Sequence, residues 1–135
     1  MSERPRLALV VDDSPPMRRQ LVLALHRMGI QAVEATDGAD GWRKLQQASF
    51  DLVCTDINMP RMDGLKLLGL IRAGGAHQRT PVVVISTESA EPDRRRAMAL
   101  GASAYLVKPV QGLQVSAAVR SLLGLPASAR TPGAG

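Results

Sequence analysis

The chain has almost no aromatic side chains: one Trp, one Tyr and one Phe, or 2% of 135 residues. Its core must therefore be aliphatic, which the 45% hydrophobic content supplies, and a nucleic-acid surface built on base stacking has no platform. Cysteine is equally scarce. The single Cys54 cannot form an intramolecular disulfide, and its place inside the run LVC marks it as a small core residue. No apolar stretch approaches the roughly 20 residues that span a bilayer, and MSERPRLALVVDD has too short an apolar run, closed by acids, for a secretory leader. These absences point to a soluble cytoplasmic protein with no membrane partner and no direct nucleic-acid partner.

The chain is long enough for one domain with a real core. Its 17 basic and 12 acidic residues leave a charge of +5, but the basic residues are scattered. The densest run, Arg94 to Arg96, follows Asp93 and reads as a solvated helix face that could meet an acidic protein segment.

Taken in order, LALVV (7–11) reads as a first strand ending at Asp12 and Asp13. Ser14 caps the next helix, with Pro15 at its first position and an apolar stripe at Met17, Leu21, Leu25 and Met28. After Gly29 comes a strand over 30–35, then a helix from Asp37 and Gly38 to about Ala48. Leu52, Val53 and Cys54 form a third strand, too short for a helix, which delivers Asp56 to its carboxyl end. Asn58, Pro60, Asp63 and Gly64 are turn and capping residues before a helix over 65–73. PVVVIS (81–86) is the most hydrophobic strand and so a central one.

A helix over 91–100 follows, with a thin apolar face of Ala97, Met98 and Leu100. The last strand is 105–107, and the last helix carries Val115, Val119, Leu122 and Leu123. The small, Pro/Gly-rich tail over 124–135 is expected to be disordered. Met17, Met28, Met98 and Trp42 are read as packing residues, and His26 and His77 as solvent-facing. The alternation βα, five times over, argues for a doubly wound α/β fold: a parallel sheet with helices on both faces.

Four strand ends then supply an acid pair (Asp12, Asp13), an aspartate (Asp56), a hydroxyl (Ser86) and a lysine (Lys108). Singly, Asp56 is a turn residue, Ser86 a strand-end cap, Lys108 a surface lysine and Tyr105 a half-buried strand aromatic. Together they describe one site. Asp12 and Asp13 can meet Asp56 only if the first and third strands are neighbours, which creates a reversal point where ligands bind. Crowded carboxylates need a cation, and hard oxygen ligands with room for water suit Mg²⁺. Asp56 could then be the nucleophile of a phosphoryl transfer, with Lys108 as a point charge and Ser86 as a hydrogen-bond donor to the phosphoryl oxygens. No glycine-rich loop follows the first strand, which disfavours nucleotide or flavin binding.

The segments VVDDS, DINMPRMDG, VVVIS and LVKP, in that order and in those strand contexts, resemble the receiver domain of two-component response regulators. The resemblance covers 6–123. It implies a five-stranded flavodoxin-like sheet of order 2-1-3-4-5, phosphorylation of Asp56 by a histidine kinase or phosphotransfer protein, and Mg²⁺ as cofactor. Asp13 and Asp56 would bind the ion through their side chains, Asn58 through its backbone carbonyl, and Asp12 partly through water. The resemblance also implies a cis Lys108–Pro109 bond, and a switch in which Ser86 moves toward the phosphoryl group and Tyr105 turns inward. That would reshape the fourth-helix and fifth-strand surface for a downstream protein target.

Asn58 and Glu88 stand where the family tunes hydrolysis of the acyl phosphate. Their pairing resembles stand-alone chemotaxis receivers with quick turnover. The implied protein is a monomeric signalling switch that dephosphorylates itself, not a turnover enzyme. Two other readings remain: a phosphorylation-independent scaffold, and a receiver fragment of a larger DNA-binding regulator.

Overall fold

The computed structural model describes residues 5–87 and 91–126. Five strands and five helices alternate: β1 Leu7–Val11, α1 Pro15–His26, β2 Gln31–Ala35, α2 Gly38–Leu45, β3 Leu52–Thr55, α3 Gly64–Ala73, β4 Val82–Ser86, α4 Glu91–Ala99, β5 Ala104–Val107 and α5 Gly112–Leu123. All pairs are parallel, in the order β2-β1-β3-β4-β5. The chain runs outward from β1 to β2, then returns across β1 to β3. Strand order therefore reverses between β1 and β3, where Val11 lies opposite Thr55.

The three inner strands are buried on both faces, which explains their near-continuous apolar sequences. Alternate residues serve opposite layers. Leu9, Val11, Val53, Val82 and Val84 face one cluster with Leu67, Leu68 and Ile71 of α3. Ala8, Val10, Leu52, Cys54, Val83 and Ile85 face the other, with Leu21 and Leu25 of α1 and Val115 and Val119 of α5. Cys54 is fully buried, and that burial pushes its thiol up to about 12. Truncating Leu67 or Leu25 to alanine in such packing costs about 2–5 kcal/mol.

Helix starts follow local chemistry. The side chains of Ser14, Asp37 and Asp63 accept from the backbone N–H groups of Met17, Asp40 and Lys66, satisfying donors that the first turn leaves orphaned. Strand bounds agree with the sequence reading to within one residue. Helix α2 is shorter than expected: it ends at Leu45 rather than Ala48, because Gln46 and Gln47 bond three residues back to Arg43 and Lys44 and tighten the last turn.

Two expectations are corrected. His77 is buried at 9% exposure, not solvent-facing; its Nε2 accepts from the Phe50 backbone N–H at 3.0 Å, and the two rings stack at a tilt. Met98 and Leu100 do not pack inward: each is 41% exposed, and only Ala97 of α4 is buried. The helix presents Arg94, Arg95 and Arg96 to solvent as expected. His26 is exposed, and Met17, Met28 and Trp42 are partly buried against the core. The tail from 127 onward lies outside the described residues.

Candidate functional site

The reversal between β1 and β3 brings the acids together. Asp12 follows the last residue of β1 and Asp56 the last of β3; the Asp56 N–H donates to Val11 O at 3.0 Å and the Asp12 N–H to Ala35 O at 3.1 Å. Both side chains are buried, while Asp13 is exposed to solvent. One carboxylate oxygen from each of Asp12, Asp13 and Asp56 lies within 4.8 Å of the others. Only oxygen donors meet here, with one open side, and that set fits a hard divalent cation that keeps some of its water.

Lys108 closes the cluster. From just beyond β5 its Nζ lies 2.9 Å from Asp12 Oδ2 and 3.3 Å from Asp56 Oδ2. The Lys108 N–H donates to Ser86 O at 2.8 Å, and Lys108–Pro109 is a cis peptide. Burial would lower the lysine's pKa, but the hydrogen bond and charge of Asp12, then those of Asp56, outweigh it and the pKa is raised. Burial also raises the Asp56 carboxyl above its ordinary value, and Asp12 adds to that rise. Lys108 and the Ile57 N–H, which donates to Asp56 Oδ1 at 2.7 Å, oppose it.

Ser86 ends β4 with no exposed surface, opposite Val107 of β5. Tyr105 is buried at 6% exposure, with the Arg94 guanidinium carbon 6.0 Å from its ring centroid. Asn58 is exposed on the loop after Asp56, and Glu88 lies outside the described residues.

Supporting residues emerge that the linear pattern did not single out. Arg18 of α1 donates to Asp12 O at 2.7 Å and to the Glu34 carboxylate at 3.0 Å, fixing the acid pair's backbone. Gly64 sits so close to the loop after β3 that a Cβ there would lie 1.8 Å from Asp56 O. Gly38 donates its N–H to Met62 O at 3.0 Å, and a Cβ on it would lie 2.3 Å from that oxygen. The sequence signal for these contacts was the pair of Asp-Gly steps, read there only as turn and cap chemistry.

The parallel sheet, its reversal point and this edge cluster are those of the response regulator receiver domain, whose family model matches residues 8–120, and the chain belongs to that family. It is 40% identical over 103 residues to the chemotaxis protein CheY1 of Helicobacter pylori, a match covering 75% of this chain and 83% of that one. It is 38% identical over 109 residues to a gliding motility regulatory protein of Myxococcus xanthus; that match covers 81% of this chain but spans only 14% of the longer relative. Among solved structures, the Vibrio cholerae chemotaxis protein CheY4 superposes with a TM-score of 0.83 at 29% identity, covering 89% of this chain and 100% of that one. A complex from Borrelia burgdorferi that contains CheX, CheY, BeF3 and Mg²⁺ matches with a TM-score of 0.82 at 30% identity, covering 87% and 89% of the respective chains.

Proposed function

We propose that the chain is a phosphoacceptor switch in which Asp56 takes a phosphoryl group from a phosphohistidine of a kinase or phosphotransfer protein. The reading rests above all on the convergence of Asp12, Asp13 and Asp56 with the Lys108 ammonium between two of them. A carboxylate oxygen of Asp56 attacks phosphorus, the P–N bond breaks, and its electron pair leaves with the imidazole. Lys108 shifts from its two carboxylates to the phosphoryl oxygens, and the Ser86 hydroxyl donates to one of them. Asp12, Asp13 and Asp56, with the carbonyl of Asn58, would hold Mg²⁺, which when bound neutralises charge on the carboxylates and the phosphoryl group.

Tyr105 and the α4–β5 surface then carry the signal to a protein target, by biasing an equilibrium between two arrangements. Asn58 and Glu88 admit hydrolytic water, giving a phosphorylated lifetime of seconds to minutes. The Borrelia complex, in which a receiver relative is held with a partner, supports output through protein contact.

The test is incubation with a small-molecule phosphodonor, with and without Mg²⁺, read by intact mass beside the Asp56→Asn variant. One hydroxylamine-labile phosphoryl group, dependent on Mg²⁺ and absent from the variant, is expected. No addition under any condition would leave a scaffold that binds partners without phosphorylation. Decay over hours after donor removal would refute the quick turnover.

A further inference from the structure

The carboxylates of this chain are unevenly placed. No Asp or Glu occurs between Ser14 and Val33, and none after Asp93. Helices α1 and α5 therefore carry no acid, and both pack on the same sheet face through Leu21, Leu25, Val115 and Val119. Apart from Glu34 of β2, which is held by Arg18 of α1, that outer layer is neutral or cationic. Between the helices runs a groove of about 370 Å³, lined by Ala24, Arg27, Met28, Leu113, Ser116 and Arg120 among others.

Its lining is mostly apolar: besides the two arginines and Gln111 it holds one hydroxyl, that of Ser116, which is spent on Gly112 O at 2.9 Å. Leu113 stands 80% exposed and Leu23 49% exposed on the same two helices. Arg27 and Arg120 flank the groove, and among the described residues neither guanidinium has an ion pair, unlike Arg18, which is held by Glu34.

We infer that the α1–α5 groove docks an acidic, leucine-bearing helical segment of a partner protein. Its apolar face would cover Leu113 and Met28 while its carboxylates meet Arg27 and Arg120. Charge complementarity selects this occupant. A second copy of the chain is disfavoured, because a twofold contact would set Arg27 and Arg120 against an identical acid-free face. The chain's own tail, ASARTPGAG, offers no acid and no large apolar side chain. Neither helix carries a Phe, Tyr or Trp on which a base could stack, and two exposed leucines are too few for a bilayer-binding face. This surface lies on the opposite sheet layer from α3 and Ala97 of α4, so it is distinct from the α4–β5 output face.

The test uses the full chain and a short fluorescein-labelled helical peptide with leucines at i and i+4 surrounded by glutamates, read by anisotropy at low and high salt. Binding that weakens with salt is expected. Leu113→Glu and the double variant Arg27→Glu/Arg120→Glu should each weaken it by about tenfold or more, whereas Arg43→Glu/Arg79→Glu, the same change of charge at exposed positions outside the groove, should weaken it far less. A peptide with lysines in place of glutamates should bind the double variant in preference to the parent. Circular dichroism of each variant must match the parent, which the exposure of Leu113 and Arg27 favours.

The proposal is overturned if the acidic peptide does not bind at about millimolar concentration, or if the groove variants bind it as the parent does. It is also overturned if the lysine peptide binds the parent equally well. Preferential binding of phosphatidylglycerol vesicles or duplex DNA, or a dimer abolished by Leu113→Glu, would assign the face to a different occupant.

Discussion

Arg61 reaches back from the loop after β3 to Asp37, the N-cap of α2, donating from Nε at 2.7 Å and pairing through its second guanidinium nitrogen as well. The carboxylate is 1% exposed, while the arginine side chain is 69% exposed and its backbone adopts φ 64°. One exposed cation thus holds a buried anion, and the loop after β3 is tied to α2 at the cost of a left-handed residue. Removing the arginine leaves Asp37 with the Asp40 N–H as its remaining named donor. Arg61→Ala should lower stability by about 1–3 kcal/mol, and Arg61→Gly, which adopts the same φ without strain, should recover about 1 kcal/mol of that. Urea unfolding of the three proteins checks the ranking; an alanine variant as stable as the glycine variant would refute the strain.

Gly64 should tolerate no side chain. A Cβ there overlaps Asp56 O at 1.8 Å and Asp56 C at 2.8 Å, so the start of α3 or Asp56 itself must move. Gly64→Ala should cost about 1–3 kcal/mol or more and cut phosphoryl incorporation at Asp56. Gly69, within the same helix and with nothing within 4 Å of its Cβ position, is the control. Gly69→Ala should gain about 0.5–1 kcal/mol and leave incorporation intact.

Lys108 neutralises two carboxylates, of which Asp12 is 1% exposed. Lys108→Ala should destabilise the protein by roughly 3 kcal/mol when no divalent ion is present, the low end of the cost of stripping one partner from a buried pair. Added Mg²⁺ should raise the melting temperature of the variant more than that of the parent, because the ion then meets acids with no competing ammonium. Equal Mg²⁺ shifts in thermal melts would contradict this.

His77 sets a pH dependence on the far side of the fold from the acids. Burial holds its imidazole below the ordinary value of 6.5, and Nε2 must stay unprotonated to accept from Phe50. The folded pKa is depressed, so the unfolded chain takes up this proton first as pH falls. The histidine's contribution is fully present above pH 6.5 and is lost as pH falls from there toward the folded value. The slope can reach about 1.4 kcal/mol per pH unit for one proton. His77→Gln, which keeps an acceptor, should flatten the stability profile between about pH 7 and pH 5.5. Parallel profiles from urea unfolding would refute the assignment.

Much of the fold was legible because it depends on short-range chemistry. The strands LALVV, LVC and VVVIS are recognisable by length and composition, and Ser14, Asp37 and Asp63 cap helices through bonds spanning three residues. The three acids and the lysine that meet at the sheet edge were also legible as groups standing at or just past strand ends.

What the sequence by itself determined is therefore the succession of elements and which polar groups they deliver to one sheet edge. Tertiary structure alone decided what depends on distance between segments far apart in the chain. It set the distances across the β1–β3 reversal that the resemblance implied, so that Lys108 reaches Asp12 and Asp56. It buried His77 against Phe50, 27 residues away, while leaving Met98 and Leu100 in solvent. It also brought Gly64 onto the Asp56 carbonyl and Arg61 onto Asp37. Periodicity reports which way a side chain points relative to its own helix or strand, and these contacts are set by how close the next element comes.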